Sequence, residues 1–183
     1  TEDYLVNIVA GAATYTASSA IQFTGTTSPG TSNVAVLRVP VKVSSSPCNP
    51  GIINELRFNT IGTSNAADIV SAKLYKTGNS NVFSIANLVG TVTSPSGQFT
   101  FSVTDTAVND TNYYWLAYDV SATAANSNLL DARLDSVQVF GNWFTPIVGS
   151  PAGNLIITSP MTYIGSTVIH PDLSMVERPS VNN

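Results

Sequence analysis

Acidic side chains are the first residues in this chain whose types and spacing suggest chemistry. Asp131 and Asp135 lie four positions apart. On one extended strand they would share a face, about 13 Å from each other. Glycosidase carboxyl pairs stand about 5 to 10 Å apart, so this spacing reads as solvated strand residues. Asp105, Asp110 and Asp119 could meet Asn and carbonyl oxygens around a Ca²⁺, an ion that favours oxygen-rich loops. No EF-hand spacing accompanies them. No cofactor is expected, bound calcium at these carboxylates being the alternative. Cys48 and His170 are the single residues of their types. Cys48 has no intrachain disulfide partner and, in a Pro-flanked loop, reads as an incidental thiol. A Cys-His dyad would have to be Cys48 with His170, and a zinc site would have to rest on these two residues and carboxylates, so neither is expected.

Aromatic residues are the sugar-binding candidates. Tyr113, Tyr114, Trp115 and Tyr118 crowd one short stretch and read as core. Trp143 and Phe144 follow the last long strand in the turn-rich Gly141-Asn142-Trp143-Phe144-Thr145-Pro146. An exposed Trp-Phe pair there serves either packing against a neighbouring module or stacking on a sugar ring. Asn109-Asp110-Thr111 fits an N-glycosylation sequon. Thr106 and Ser136 stand in Asp105-Thr106-Ala107 and Asp135-Ser136-Val137, which resemble the O-glycosylation acceptor of Bacteroidetes. Ser136 falls in an expected strand, so Thr106 is the better acceptor.

Composition narrows the function further. Of 183 residues, 43% are hydrophobic and only 10% charged, with a net charge of −4. The seven Lys and Arg are scattered, so nucleic acid is not an expected partner. No apolar run approaches the roughly 20 residues of a membrane helix, and no membrane insertion is expected. The start, Thr1-Glu2-Asp3-Tyr4, carries no signal-peptide pattern, which leaves room for one already cleaved.

The elements that would position these residues are strands. Residues 34–43 alternate, with Ala35, Leu37, Val39, Val41 and Val43 on one face and Val34, Val36, Pro40 and Lys42 on the other. Pro40 cannot donate to a ladder, so this strand is an edge or is bulged there. Residues 52–59 follow, with Ile52, Leu56 and Phe58 inward and Ile53, Glu55, Arg57 and Asn59 outward. Further strands are expected at 72–76, 88–93, 98–103, 111–120, 129–140 and 155–157. The stretch 111–120 is apolar on both faces and therefore central, and a bulge is expected near Asp135-Ser136. One helical turn is expected at residues 65–69, capped by Ser64 or Asn65. About eight short strands separated by Gly, Pro, Ser and Asn turns make an all-β, antiparallel β-sandwich, jelly-roll or Ig-like.

An internal repeat sets the domain plan. Residues 13–22 align with residues 161–170 at an offset of 148: Thr14, Tyr15, Ser18 and Ile21 match Thr162, Tyr163, Ser166 and Ile169. Chance similarity between two Ser/Thr-rich strands is the alternative. On the repeat reading, residues 1–12 end a preceding module or linker, 13–160 form the sandwich, and 161–183 open a following copy. A strand carrying Tyr163, Ile164, Val168 and Ile169, apolar on both sides, should pair outside its own domain. Its partner would be a neighbouring module or another copy of the chain, by strand addition.

Three segments also carry a family resemblance: Leu56-Arg57-Phe58-Asn59-Thr60-Ile61-Gly62-Thr63-Ser64-Asn65-Ala66-Ala67-Asp68-Ile69, Ala72-Lys73-Leu74-Tyr75-Lys76-Thr77-Gly78 and Asn112-Tyr113-Tyr114-Trp115-Leu116-Ala117-Tyr118-Asp119-Val120. They resemble the N-terminal domain of BNR-repeat neuraminidases. That domain precedes the propeller of some bacterial sialidases and recurs in tandem in secreted Bacteroidetes proteins. Residues 1–9 resemble the closing strand of a GEVED domain. The resemblance implies a piece of a long, exported, extracellular or cell-surface protein delivered by the type IX route. It does not imply sialidase activity. Arg38, Arg57, Arg133 and Arg178 lie far apart in sequence, and the Ser-x-Asp-x-Gly-x-Thr-Trp box of the propeller is absent. The expected role is a non-catalytic structural or adhesive module. The alternative is a carbohydrate-binding module accessory to a sialidase-type glycosidase, with glycans as ligands.

Overall fold

The computed structural model describes residues 13–45 and 49–159. Within them the chain forms thirteen strands and one 3₁₀ turn, more strands than the eight expected. The larger sheet runs β1 (Thr14–Ser18), β4 (Val34–Ser44), β9 (Asp110–Val120), β6 (Ile69–Gly78) and β7 (Leu88–Thr93), with β2 (Ile21–Gln22) also on β4. The facing sheet runs β12 (Asn142–Phe144), β11 (Arg133–Val139), β5 (Gly51–Asn59) and β8 (Gln98–Ala107). A small third sheet joins β10 (Leu129–Leu130), β13 (Leu155–Ile157) and β3 (Gly25–Thr27), the last two in parallel. Strands β4 and β5 pass from one sheet to the other. Strands β8 and β9 do the same in reverse, paired antiparallel to them throughout. This paired crossing is of the jelly-roll kind; the added strands are short closures around it.

The core lies between the two larger sheets, where Leu37, Val39, Val41, Leu56, Phe58, Leu74, Tyr114, Leu116, Tyr118, Val137 and Val139 are fully buried. Phe58, Phe99 and Phe101 pack with ring centroids about 6 Å apart, within the usual range for aromatic pairs. Strand β9 is central, between β4 and β6. Its odd-numbered residues face away from this core, yet Trp115 and Ala117 are also buried, under Phe23 and Phe83.

Bulges account for the departures from simple alternation. A register shift between Ala35 and Leu37 turns Val36 inward, so Val36 and Leu37 are both buried rather than on opposite faces. Around Asn54 the pairing of β5 shifts against both of its neighbours. Ile53 is therefore buried and Ile52 is 44% exposed, the reverse of the expectation. The bulge expected near Asp135-Ser136 is present, between Leu134 and Ser136.

Pro40 is not on an edge strand, because β4 lies inside its sheet. The carbonyl of Pro40 accepts from Ser19 N–H, in the break between β1 and β2. In a strand a residue's N and C=O point the same way, so the missing N–H faces that break. The 129–140 stretch is not one strand: β10 joins the small sheet while β11 joins the facing four-stranded sheet, with Asp131 and Ala132 between them. The expected helical turn is present at Ala66–Asp68, capped by the Asn65 side chain, which accepts from Ala67 N–H. Cys48, the two ends of the chain at 1–12 and 160–183, and with them Tyr163, Ile164, Val168, Ile169 and His170, lie outside the described residues.

Candidate functional site

Strand β12 decides what Trp143 and Phe144 can do. They are adjacent on a strand, not in a turn, so their side chains take opposite faces. Phe144 turns in and stacks on Tyr15 with ring centroids 4.1 Å apart. Trp143 turns out and stays 40% exposed. The Arg57 guanidinium lies over the Trp143 ring, 4.0 Å from its centroid. The expected exposed pair is therefore split, and the aromatic available to a partner is Trp143 with Arg57 beside it. Arg57 is 86 positions away in sequence, which hid the pairing. Its outward alternation in β5 was the available signal.

Around Trp143 the outer face of the second sheet is polar. Gln138 opposes Trp143, and Glu55 opposes Gln138 on one side and Ser102 on the other. Arg57 lies between Ser136 and Thr100. Nearby, Gln98, Arg133, Asp135, Thr145, Pro146 and Gly149 line an open notch of about 490 Å³. A flat polar face with one exposed indole suits stacking on a sugar ring or docking against another protein.

The acidic residues are dispersed. Asp135 binds Arg133 Nε at 2.5 Å and accepts from Gln98 at 2.8 Å. Asp131 sits in the link between β10 and β11, not on a strand with Asp135, and accepts from Ala132 N–H. Partial burial raises the Asp131 carboxyl above the usual range, and that N–H bond offsets only part of the rise. Gly62, at φ +93°, leaves the space this carboxyl occupies; a Cβ there would overlap its Oδ2.

The three carboxylates of the calcium expectation do not converge. Asp105 holds Lys76 at 2.5 Å and accepts from Tyr114 OH at 2.8 Å. Asp110 pairs with Lys42 at 3.2 Å in the open. Asp119 pairs with Lys73 at 2.7 Å and accepts from Ser71 Oγ and Asn33 N–H. Asp110 and Asp119 sit at opposite ends of β9, about 30 Å apart by strand rise. Among the described residues no three acidic, His or Cys groups are placed to hold a metal ion.

The electrostatics follow from these partners. Burial raises Tyr114, helped by the charge and hydrogen bond of Asp105, so the phenol stays neutral as a donor. Burial likewise raises Tyr118, with the charge of Asp131 adding to it. Partial burial works to raise Asp119, but the hydrogen bonds from Lys73, Ser71 and Asn33 outweigh it and hold its carboxyl below the usual range. Sequence reasoning missed Asn33, which is in the left-handed region at φ 56°. Its Oδ1 accepts from Lys73 Nζ and Tyr75 OH. Asn tolerates that backbone region better than most residues, and this was the one local hint.

The modification candidates are placed unequally. Thr106 is exposed on β8, at the edge of its sheet. Ser136 is half-buried on β11, inside the same sheet. Asn109 is exposed at the β8–β9 turn, where its Oδ1 accepts from Ser45 N–H.

No protein-family model matches the chain, and no curated protein matches it. Among the described residues no helix is long and apolar enough to cross a membrane. Among solved structures, a non-cellulosomal cohesin from the hyperthermophilic archaeon Archaeoglobus fulgidus aligns over 79% of this chain and 93% of its own, at 14% identity and a TM-score of 0.33. That score is too low to bear on the fold. A Hadza microbial sialidase, Hz136, aligns over 74% of this chain with a TM-score of 0.52 and 13% identity. The match spans only 30% of the sialidase, so what the two proteins share is the fold of a β-sandwich module that makes up part of the larger one.

Proposed function

We propose that the chain is a non-catalytic structural or adhesive module of a secreted, multi-module cell-surface protein or extracellular fibre, similar to the domain that accompanies BNR-repeat neuraminidases. Its partners are neighbouring modules or further copies of the chain. The observation that carries this reading is the fate of the charged groups. Asp105, Asp110, Asp119 and Asp135 are each paired with a different cation on a different part of the fold. Glycoside hydrolysis needs two carboxyls facing one bond across a cleft, and a sialidase needs arginines gathered on the substrate carboxylate. Arg38, Arg57 and Arg133 are engaged separately, by Tyr113 and Trp115, by Trp143, and by Asp135. The purified chain should leave aryl glycosides and sialosides intact over long incubation. Protein-dependent release of sugar that survives repurification would overturn the reading.

Trp143 favours a second reading, a carbohydrate-binding module. Its indole is 40% exposed on a polar face and oriented by Arg57, an arrangement that suits stacking on a pyranose. A glycan array separates the two readings. Binding that Trp143→Ala abolishes supports the module, and equal signals from both proteins remove it.

A further inference from the structure

Lys73 touches both a carboxylate and a side-chain amide. Its Nζ lies 2.7 Å from Asp119 Oδ2 and donates to Asn33 Oδ1 at 3.1 Å. Tyr75 OH donates to the same Oδ1 at 2.6 Å. Ser71 Oγ and the Asn33 backbone N–H hold Asp119 in place, at 2.7 and 2.9 Å. The register explains the gathering. Ser71, Lys73 and Tyr75 alternate along the outer face of β6. Asp119 of β9 opposes Ser71, and Asn33 comes just before Val34, which opposes Tyr118. Ala117, fully buried, lies opposite Lys73. The Lys73 and Asp119 side chains are only 22% and 18% exposed. Asn33 is held in the left-handed region at φ 56°, and strain of that kind gathers at functional sites.

An amine, an amide carbonyl, a carboxylate and a hydroxyl on the carbonyl oxygen are the parts of an amide-forming reaction. We propose that Lys73 and Asn33 join in an intramolecular isopeptide bond, Nζ to Cγ, with Asp119 as the base and Tyr75 polarising the carbonyl. A C=O bond is about 1.2 Å long, so Asn33 Cγ lies within roughly 4.3 Å of Lys73 Nζ. A turn about χ2 of Asn33, a broad torsion, brings it to the reacting range of about 3 to 3.5 Å.

The step balances without a co-reactant. Asp119 takes one proton from the Lys73 ammonium, and the free amine attacks Asn33 Cγ. The Nζ–Cγ bond forms while the carbonyl π pair moves onto Oδ1, where the Tyr75 hydroxyl holds it. A second proton passes from Nζ to Nδ2. The carbonyl re-forms, the Cγ–Nδ2 bond breaks with its electron pair leaving on nitrogen, and the ammonia released takes the proton from Asp119. The products are one secondary amide and one ammonium ion, and the event happens once per chain. The bond ties the start of β4 to β6 across β9, which lies between them. Closing so long a loop restricts the unfolded chain, as a disulfide does.

Mass spectrometry of the full chain tests this. After prolonged incubation of the folded protein at mildly alkaline pH, most of it should be lighter than its sequence mass by one ammonia. Trypsin does not cut after an acylated lysine, so the product should yield one branched peptide joining residues 1–38 to residues 58–76. Lys73→Arg keeps a cation beside Asp119 and should keep the full mass. Tyr75→Phe keeps the buried ring and should slow the loss of ammonia several-fold. A wild-type chain that stays at full mass overturns the proposal. So does an ammonia loss that persists in Lys73→Arg, because it then comes from cyclisation of an asparagine and not from a cross-link. An equal rate in Tyr75→Phe overturns the part assigned to Tyr75. Glycoside turnover by the same protein would strike the non-catalytic reading and leave the branched peptide as it is.

Discussion

Two tryptophans sit on the outward faces of the two sheets, and each has an arginine beside its ring. The Arg38 guanidinium is 5.9 Å from the Trp115 ring, and that of Arg57 is 4.0 Å from the Trp143 ring. Their exposures are 1% and 40%. The difference comes from what covers them. Phe23, following β2, and Phe83, between β6 and β7, bring their rings to 5.8 and 5.5 Å from Trp115. Thr77 Oγ1 accepts from its indole N–H at 2.8 Å. Trp143 lies on the short edge strand β12, open to solvent. An outward aromatic is therefore structural on one sheet and available on the other, and the connecting segments decide which.

The comparison breaks most sharply at Trp115. Trp115→Ala should cost about 3–5 kcal/mol in chemical denaturation, because it empties a buried site and orphans Thr77 and Arg38. A cost under about 1 kcal/mol would mean that the covering segments do not hold. Next is Phe144→Ala, expected to cost about 2 kcal/mol, since this half-buried ring loses its stack on Tyr15. If Phe144→Ala and Trp143→Ala cost the same, the two residues do not face opposite ways.

A smaller effect sits on the covered face, at Asp119. Its carboxyl is lowered in the folded chain, so its contribution is complete above the ordinary carboxylate range, about pH 4. It is lost as pH falls through the lowered folded value. Acid titration of stability should show this loss, and Lys73→Met should flatten it; an unchanged curve would show that the Lys73–Asp119 pair is idle. The smallest effect is Trp143→Ala, expected to change stability by about 1 kcal/mol or less. Acrylamide should quench the fluorescence of Trp143 and leave Trp115 nearly untouched, and equal quenching would erase the contrast.

Much of the fold was legible because burial imposes a two-residue period on strands. The run from Tyr113 to Tyr118 had to be central, being apolar on both faces, and β7 and β13 match the expected segments end to end. The site was less legible. Trp143 stood out by type, but its separation from Phe144 depends on β12 pairing with β11, which nothing local in Gly141-Asn142-Trp143-Phe144 announces. Asp131 and Asp135 fit one strand on paper. The chain leaves that strand because β10 hydrogen-bonds to β13, a partner about 25 residues on.

By itself the sequence determined the class of the molecule. Alternating apolar residues, turn formers at short intervals and scarce charge permit little besides an antiparallel sandwich. Tertiary structure alone decided the bulges at Val36 and Asn54, the partner of each carboxylate, and which tryptophan is covered. Those outcomes depend on contacts between residues tens of positions apart, whose geometry is set only when the sheets close on each other. Local pattern carries the face a side chain prefers, and long-range packing decides what meets it there.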